Sequence, residues 1–280
     1  MKSKKRLGFF GLLALIIVLN GCAATHIALK PNKAKEITSV DVHIGLAQQE
    51  IYAEIVKSKV ATATGGGLIP ALIDAGVDQH RAKKAEELIQ PIRAALMDYD
   101  FGRCLTEKIE SELKSRAWMK INNVRVSGDI SKKGYEKAFA DSEASAILFV
   151  TTRYFLSPNL IVLTVSNEAK LYPKKGGKSV DLRDGNCIYK NLLFFEDSID
   201  TRPSSKEEVI HCWADDEGFL TRQALDAASV GLARMIVIDL DTSGTYEEDR
   251  RDGKETVIFR DSQVKIIRLS NGNLRSYRSR

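Results

Sequence analysis

The run "AILFVTTRYFLSPNLIVLTVSNEAKLYP", residues 146–173, constrains the fold more than any other stretch. Its first arm is almost continuously apolar up to Leu156, the pattern of a central strand buried on both faces. Ser157, Pro158 and Asn159 supply a turn. In the second arm Ile161, Leu163 and Val165 alternate with Val162, Thr164 and Ser166, which marks a strand with one face less deeply buried. A chain containing such a hairpin has to build a sheet with a layer packed on it.

The neighbouring segments supply the layers. In "TSVDVHIGLAQQEIYAEIV", Val40, Val42 and Ile44 alternate and Ile51 and Ile55 follow a polar interruption, which predicts a strand pair, most simply a hairpin. The glycines 65–67 are followed by Leu68, Ile69 and Pro70 rather than by a lysine and a hydroxyl. They are therefore a connector and not a phosphate loop; "GLIPALIDAG" then reads as a short apolar element. Leu88, Ile89, Ile92, Ala95 and Leu96 form one helical stripe, and Phe101, Cys104, Leu105, Ile109 and Leu113 a second. These are two amphipathic helices or one helix bent at Pro91. "INNVRVSGDI" reads as a strand, "KKGYEKAFADSEAS" as a helix and "NCIYKNLLFFEDSI" as a further strand. Residues 204–240 read as helix, with Leu225, Ala228, Leu232, Met235 and Ile236 in register. The end of the chain, with turns at Asp261-Ser262 and Asn271-Gly272, predicts a small β-meander. The expected fold is α/β, with helices packed on a mixed, largely antiparallel sheet.

The N-terminus answers a different question. Lys2, Lys4, Lys5 and Arg6 precede an apolar run from Leu7 to Leu19, interrupted only by glycines. Thirteen residues are too few for a comfortable membrane span and match the apolar region of a secretory signal. The sequence Leu19-Asn20-Gly21-Cys22 then resembles the lipobox of bacterial lipoproteins. That resemblance implies cleavage between Gly21 and Cys22 and acyl chains on Cys22, the only covalent group or cofactor expected. Several chains on one residue make a lasting anchor, because each buried methylene contributes about 0.8 kcal/mol. Ala23, directly after the cysteine, implies the periplasmic face of the outer membrane. The expected division is a signal peptide at 1–21, a lipidated tether at 22–36, an α/β domain at 37–244 and the meander at 245–280.

Removing a signal changes the charge. The chain has 42 basic and 37 acidic residues; four of the basic ones lie in the signal, so 38 stand against 37, a net charge of +1. That leaves no electrostatic footprint for nucleic acid, and Arg275, Arg278 and Arg280 read as a solvated tail.

Element order over residues 40–240, together with the quoted hairpin and its "SEAS" lead-in, resembles envelope domains related to the curli secretion lipoprotein and the N-terminal domain of the TolB protein. The resemblance implies a periplasmic domain that works by binding a protein or cell-wall partner.

Catalytic patterns are sparse. Asp239-Leu240-Asp241 resembles the nucleophile motif of haloacid dehalogenase-type phosphatases, but it ends a helical register where that family needs a strand. Asp239, Asp241, Ser243 and Gly244 match positions 1, 3, 5 and 6 of an EF-hand-like loop, but Arg250 stands where a bidentate acid is required; calcium is not expected. His43 reads as a hydrogen-bonded structural residue within a strand. "HCWADDEG" gathers His211, Cys212 and three acids whose side chains diverge around a helix. Of the cysteines, Cys104 lies on an apolar stripe, and Cys187 and Cys212 are the candidates for a disulfide in an oxidising periplasm. The reading is a non-enzymatic binding or scaffold module. Its competitor is a periplasmic hydrolase or metal-dependent enzyme, which requires a cleft where histidine and acidic side chains converge.

Overall fold

The computed structural model describes residues 26–56, 68–115, 119–174, 182, 184–200, 203–242, 249–251 and 255–279. Among these, β1 (Val40–Leu46), β2 (Tyr52–Ala53), β3 (Ile121–Ser127), β4 (Ala146–Leu156), β5 (Val162–Pro173), β6 (Tyr189–Ser198), β7 (Asp249–Arg251), β8 (Glu255–Arg260), β9 (Val264–Leu269) and β10 (Leu274–Arg278) form one sheet. Its order is β3-β1-β4-β5-β6-β10-β9-β8-β7, with β2 also on β4. The helices are α1 (Pro31–Ala34), α2 (Leu68–Leu88), α3 (Gln90–Ala95), α4 (Phe101–Lys114), α5 (Lys132–Asp141) and α6 (Lys206–Leu240). The α/β class and the mixed sheet are as the sequence indicates.

The long hairpin is the axis of the sheet. Eleven residues of β4, Ala146 to Leu156, pair antiparallel with β5. Its even positions Ala146, Leu148 and Val150 enter the larger core while Ile147 and Phe149 enter a smaller one on the opposite face, so the arm is buried twice over. The larger core is closed by α3, α4 and α6. Phe101, Leu105, Ile109 and Leu113 are buried along α4, and Ala224, Leu225, Ala228, Leu232, Met235 and Ile236 along α6. At Gly231 a Cβ would meet Ser276 Oγ at 2.6 Å, so the absent side chain lets α6 lie against β10. Helix α6 breaks at Asp215–Gly218, where residues 216–218 have positive φ. Trp213, just before the break, is fully buried and donates from Nε1 to Leu160 O at 2.8 Å, fixing the β4–β5 turn.

Three expectations are corrected by the topology. The segment 40–55 is not a hairpin: β1 lies parallel between β3 and β4, and β2 pairs parallel with Tyr52 opposite Phe155. Both sides of β1 are taken, so after the polar interruption the chain can only continue along β4. The expected terminal meander is present as β7 to β10, and β10 continues it into the main sheet by running parallel to β6. Arg275 and Arg278 accordingly sit in strands; Arg278 Nε lies 3.1 Å from the buried Asp197 carboxylate and Arg275 Nε 3.7 Å from Glu196. Arg280 lies outside the described residues. The apolar element at "GLIPALIDAG" is the start of the 21-residue helix α2.

The described part of the expected tether is not a tether either. Ile27 N and O both bond to Lys190, at 2.8 and 2.9 Å, adding a bridge to β6. Ile27 packs on the smaller core, whereas Leu29, Ala34 and Ile37 belong to the larger one. The segment thus wraps around one end of the sheet. Its apolar residues are spaced for two faces rather than for a helix or strand, which is why it lacks periodicity.

Candidate functional site

Two polar constellations stand out, one on the less covered face of the sheet and one at its end. The first is a groove of about 320 Å³ between β1, β3 and α5. Strand alternation creates it. Val40, Val42 and Ile44 point into the larger core, so Asp41, His43 and Gly45 face the other way. Ser131 caps α5 by accepting from Gly134 N at 3.1 Å, and Asp129 Oδ1 accepts from Ser131 N at 3.0 Å, which fixes the loop leading into the helix. Tyr135 on α5 reaches back to Thr151 Oγ1 at 2.6 Å. Its hydroxyl lies 2.8 Å from where a Cβ of Gly45 would stand, so the closeness of helix and strand depends on that glycine.

His43 lies edge-on to Tyr135 and Phe149, with ring centroids 5.8 and 5.6 Å away. Its buried Nε2 has no hydrogen-bond partner among the described residues. Burial, and then the nearby Arg125 charge, hold its pKa below the ordinary 6.5, against a smaller opposing pull from Asp129. The expectation of a hydrogen-bonded structural histidine is corrected at this nitrogen: both ring neighbours are aromatic faces. Asp41 is half satisfied, Oδ2 accepting from Ser142 Oγ at 2.7 Å while buried Oδ1 has no partner among the described residues. Arg125, Asp129, Lys137 and Asp141 complete the groove. Unmet buried donors and acceptors carry a desolvation cost of about 1–3 kcal/mol each, which a ligand carrying both kinds of group relieves. Of these residues only His43 stands out in the sequence. Asp41 is legible as the polar phase of an alternating strand, but its groove neighbours lie about 80–100 residues on.

The second constellation surrounds Asp239. Its carboxylate, 2% exposed, accepts from Arg268 Nη1 at 2.8 Å and Asn191 Nδ2 at 2.6 Å, with His26 Nε2 at 3.6 Å. Burial alone would raise its pKa; His26, Arg268 and Asn191 outweigh that and hold it below the carboxylate range. These contacts correct the loop reading of Asp239, Asp241 and Ser243: the first carboxylate is turned inward and occupied by protein donors. Asp241 caps the helix through its backbone, and Ser243 lies outside the described residues. Among the described residues, no group of three histidine, cysteine or acidic side chains is placed to hold a metal ion. His26 also packs on Gly272, whose φ of +87° forms the expected tight turn and where a Cβ would meet the imidazole at 2.3 Å.

Cys187 and Cys212 are not joined. Cys187 belongs to the smaller core with Phe139 and Tyr172, and Cys212 packs against the larger one, so the sheet stands between them. His211 turns away from Cys212 to an exposed pairing with Asp215 at 3.2 Å. Cys104 Sγ lies 3.3 Å from Asp226 Oδ1, and burial raises its pKa. Cys22 and Gly21 lie outside the described residues, and no helix among those residues is long and apolar enough to cross a membrane.

No protein-family model matches the chain, and no curated protein matches it. The chain is similar to several solved structures, two of which follow. The hypothetical protein CT253 from Chlamydia trachomatis is 10% identical over 72% of this chain and 94% of its own, with a TM-score of 0.32. A candidate lipoprotein from Caulobacter crescentus CB15 is 17% identical over 50% of this chain and 80% of its own, with a TM-score of 0.26.

Proposed function

We propose that the chain is a lipid-anchored bacterial envelope protein, held by acyl chains on Cys22, whose domain binds or scaffolds another envelope component. The observation that carries the binding role is the groove beside β3. It holds two unsatisfied buried polar atoms, and β3 is an outer strand with no neighbour on its far side among the described residues. Val126 on that strand is 43% exposed. An extended peptide segment added to the β3 edge would gain main-chain hydrogen bonds and place a polar side chain between Arg125 and His43. The anchor rests on the charged, apolar and Cys22 pattern of the N-terminus. The periplasmic face of the outer membrane is the address that Ala23 supports.

A periplasmic hydrolase is the second reading, favoured by the convergence of His43 with Asp41, Asp129 and Asp141 along one groove. A photoreactive residue at Val126 in intact envelopes separates the two. Binding predicts a discrete adduct that is lost when His43→Ala is combined with Asp41→Ala. Absence of any adduct, together with hydrolysis of ester or peptide substrates that His43→Ala abolishes, would replace the binding role with catalysis.

A further inference from the structure

We infer that the end of the sheet at which the chain enters is a membrane-apposed surface, seated on anionic lipid headgroups. The inference rests on the proposed anchor at Cys22 and adds an orientation and a lipid chemistry to it.

From residue 22 to His26 there are four residues, which reach about 14 Å when fully extended. His26 is held, with Nε2 3.6 Å from Asp239, its ring against Gly272, and Ile27 next to it bonded twice to Lys190. Those contacts lie at one end of the molecule: Lys190 is the second residue of β6, Asp239 the penultimate residue of α6, and Gly272 stands just before β10. Strand β5, antiparallel to β6, carries the chain from this end to the opposite one; at about 3.3 Å per residue its twelve residues span about 40 Å. The leash is much shorter than the sheet. Whatever the tilt, an acyl chain at residue 22 keeps this end against the bilayer and the Pro158–Leu160 turn away from it.

Charge gives the surface its preference. Lys30 and Lys35 flank the short helix α1 and are exposed, whereas Lys33 between them is paired with Glu36 at 2.7 Å. Lys120 is exposed too, and its carbonyl accepts from Val40 N at 2.8 Å, which puts it at the starting end of β1. Of the acids at this end, Asp239 is buried and paired and Glu36 is paired with Lys33, while Asp141 and Glu143, just before β4, are exposed. Three exposed ammonium groups next to an acyl anchor fit an anionic headgroup layer.

The test uses the full chain purified from membranes and reconstituted into vesicles containing dansyl-labelled lipid, with or without phosphatidylglycerol. Asn32→Trp reports from α1 and Glu207→Trp from the start of α6; the parent chain, with Trp118 and Trp213, supplies the background. Energy transfer from position 32 should exceed that from position 207 several-fold. It should rise with phosphatidylglycerol, and Lys30→Glu, Lys35→Glu and Lys120→Glu combined should remove that rise without releasing the chain. Equal transfer from both positions in a vesicle-bound chain overturns the apposition, and transfer indifferent to headgroup charge overturns the anionic preference. A chain that does not associate with vesicles defeats the anchor reading and this inference together, an outcome distinct from the other two.

Discussion

The two faces of the sheet are built from the same strands but are finished differently. On one, alternate residues of β1, β4, β5 and β6 meet three helices, and side chains such as Trp213, Leu105, Ile109 and Leu232 are sealed from solvent. On the other, the ten-residue helix α5, with Ile27 and Leu182, packs on a small cluster of Phe139, Ile147, Phe149, Tyr172 and Cys187, beside which His43 and Asp41 are left with unmet polar atoms. The first face holds the fold together and seals its own unmet polar atoms, at Thr152 and Asn167, inside the core; those of the second line a groove.

That division predicts a graded series of effects. The largest belongs to the sealed face: Trp213→Ala removes a fully buried indole and its bond to Leu160, and should lower the unfolding free energy by about 3–5 kcal/mol in urea titrations. At the end of the sheet, Asp239→Ala leaves Arg268 and His26 without their shared anion, a buried-pair loss on the order of 3 kcal/mol that thermal melts should register. A loss of less than about 1 kcal/mol for Asp239→Ala would show that the N-terminal segment is not clamped there.

How far the sequence shows this division depends on the range of the signal. Local periodicity reveals the β4–β5 hairpin, the stripe of α4 and the helical register through Ile236, because each apolar set repeats within a few residues. The parallel placement of β1 is hidden, since its partners Ile121 and Ala146 lie 81 and 106 residues further on and alternation looks the same in either orientation. The groove fails for that reason too. Asp239 misleads in a different way: its neighbours Asp241 and Ser243 imitate a cation loop, while its actual partners, His26, Asn191 and Arg268, come from three distant segments.

The groove gives smaller effects. His43 has a folded pKa below 6.5, so the unfolded chain binds its proton more readily. The stability it contributes is complete above pH 6.5 and declines as pH falls below that value. The wild-type melting temperature should therefore drop between about pH 6.5 and 5, and the drop should shrink in His43→Phe. Asp239, held below 3.8, contributes down to more acidic conditions. Arg125→Ala, on the rim, should change stability by no more than about 0.5 kcal/mol while abolishing partner capture at the groove. The smallest effect concerns the sulfurs on opposite faces. Chain denatured without reductant should titrate three thiols besides Cys22, and Cys187→Ser should leave two with its melting temperature nearly unchanged.

The anchor is the premise on which envelope location and orientation both stand, and Cys22 tests it directly. Cells expressing the wild-type chain are fed labelled palmitate, and the membrane-associated product is weighed intact alongside Cys22→Ala. The account predicts label on the wild type, a mass starting at residue 22 plus its acyl groups, and an unlabelled, uncleaved precursor for the variant. Label and normal maturation in Cys22→Ala would contradict it.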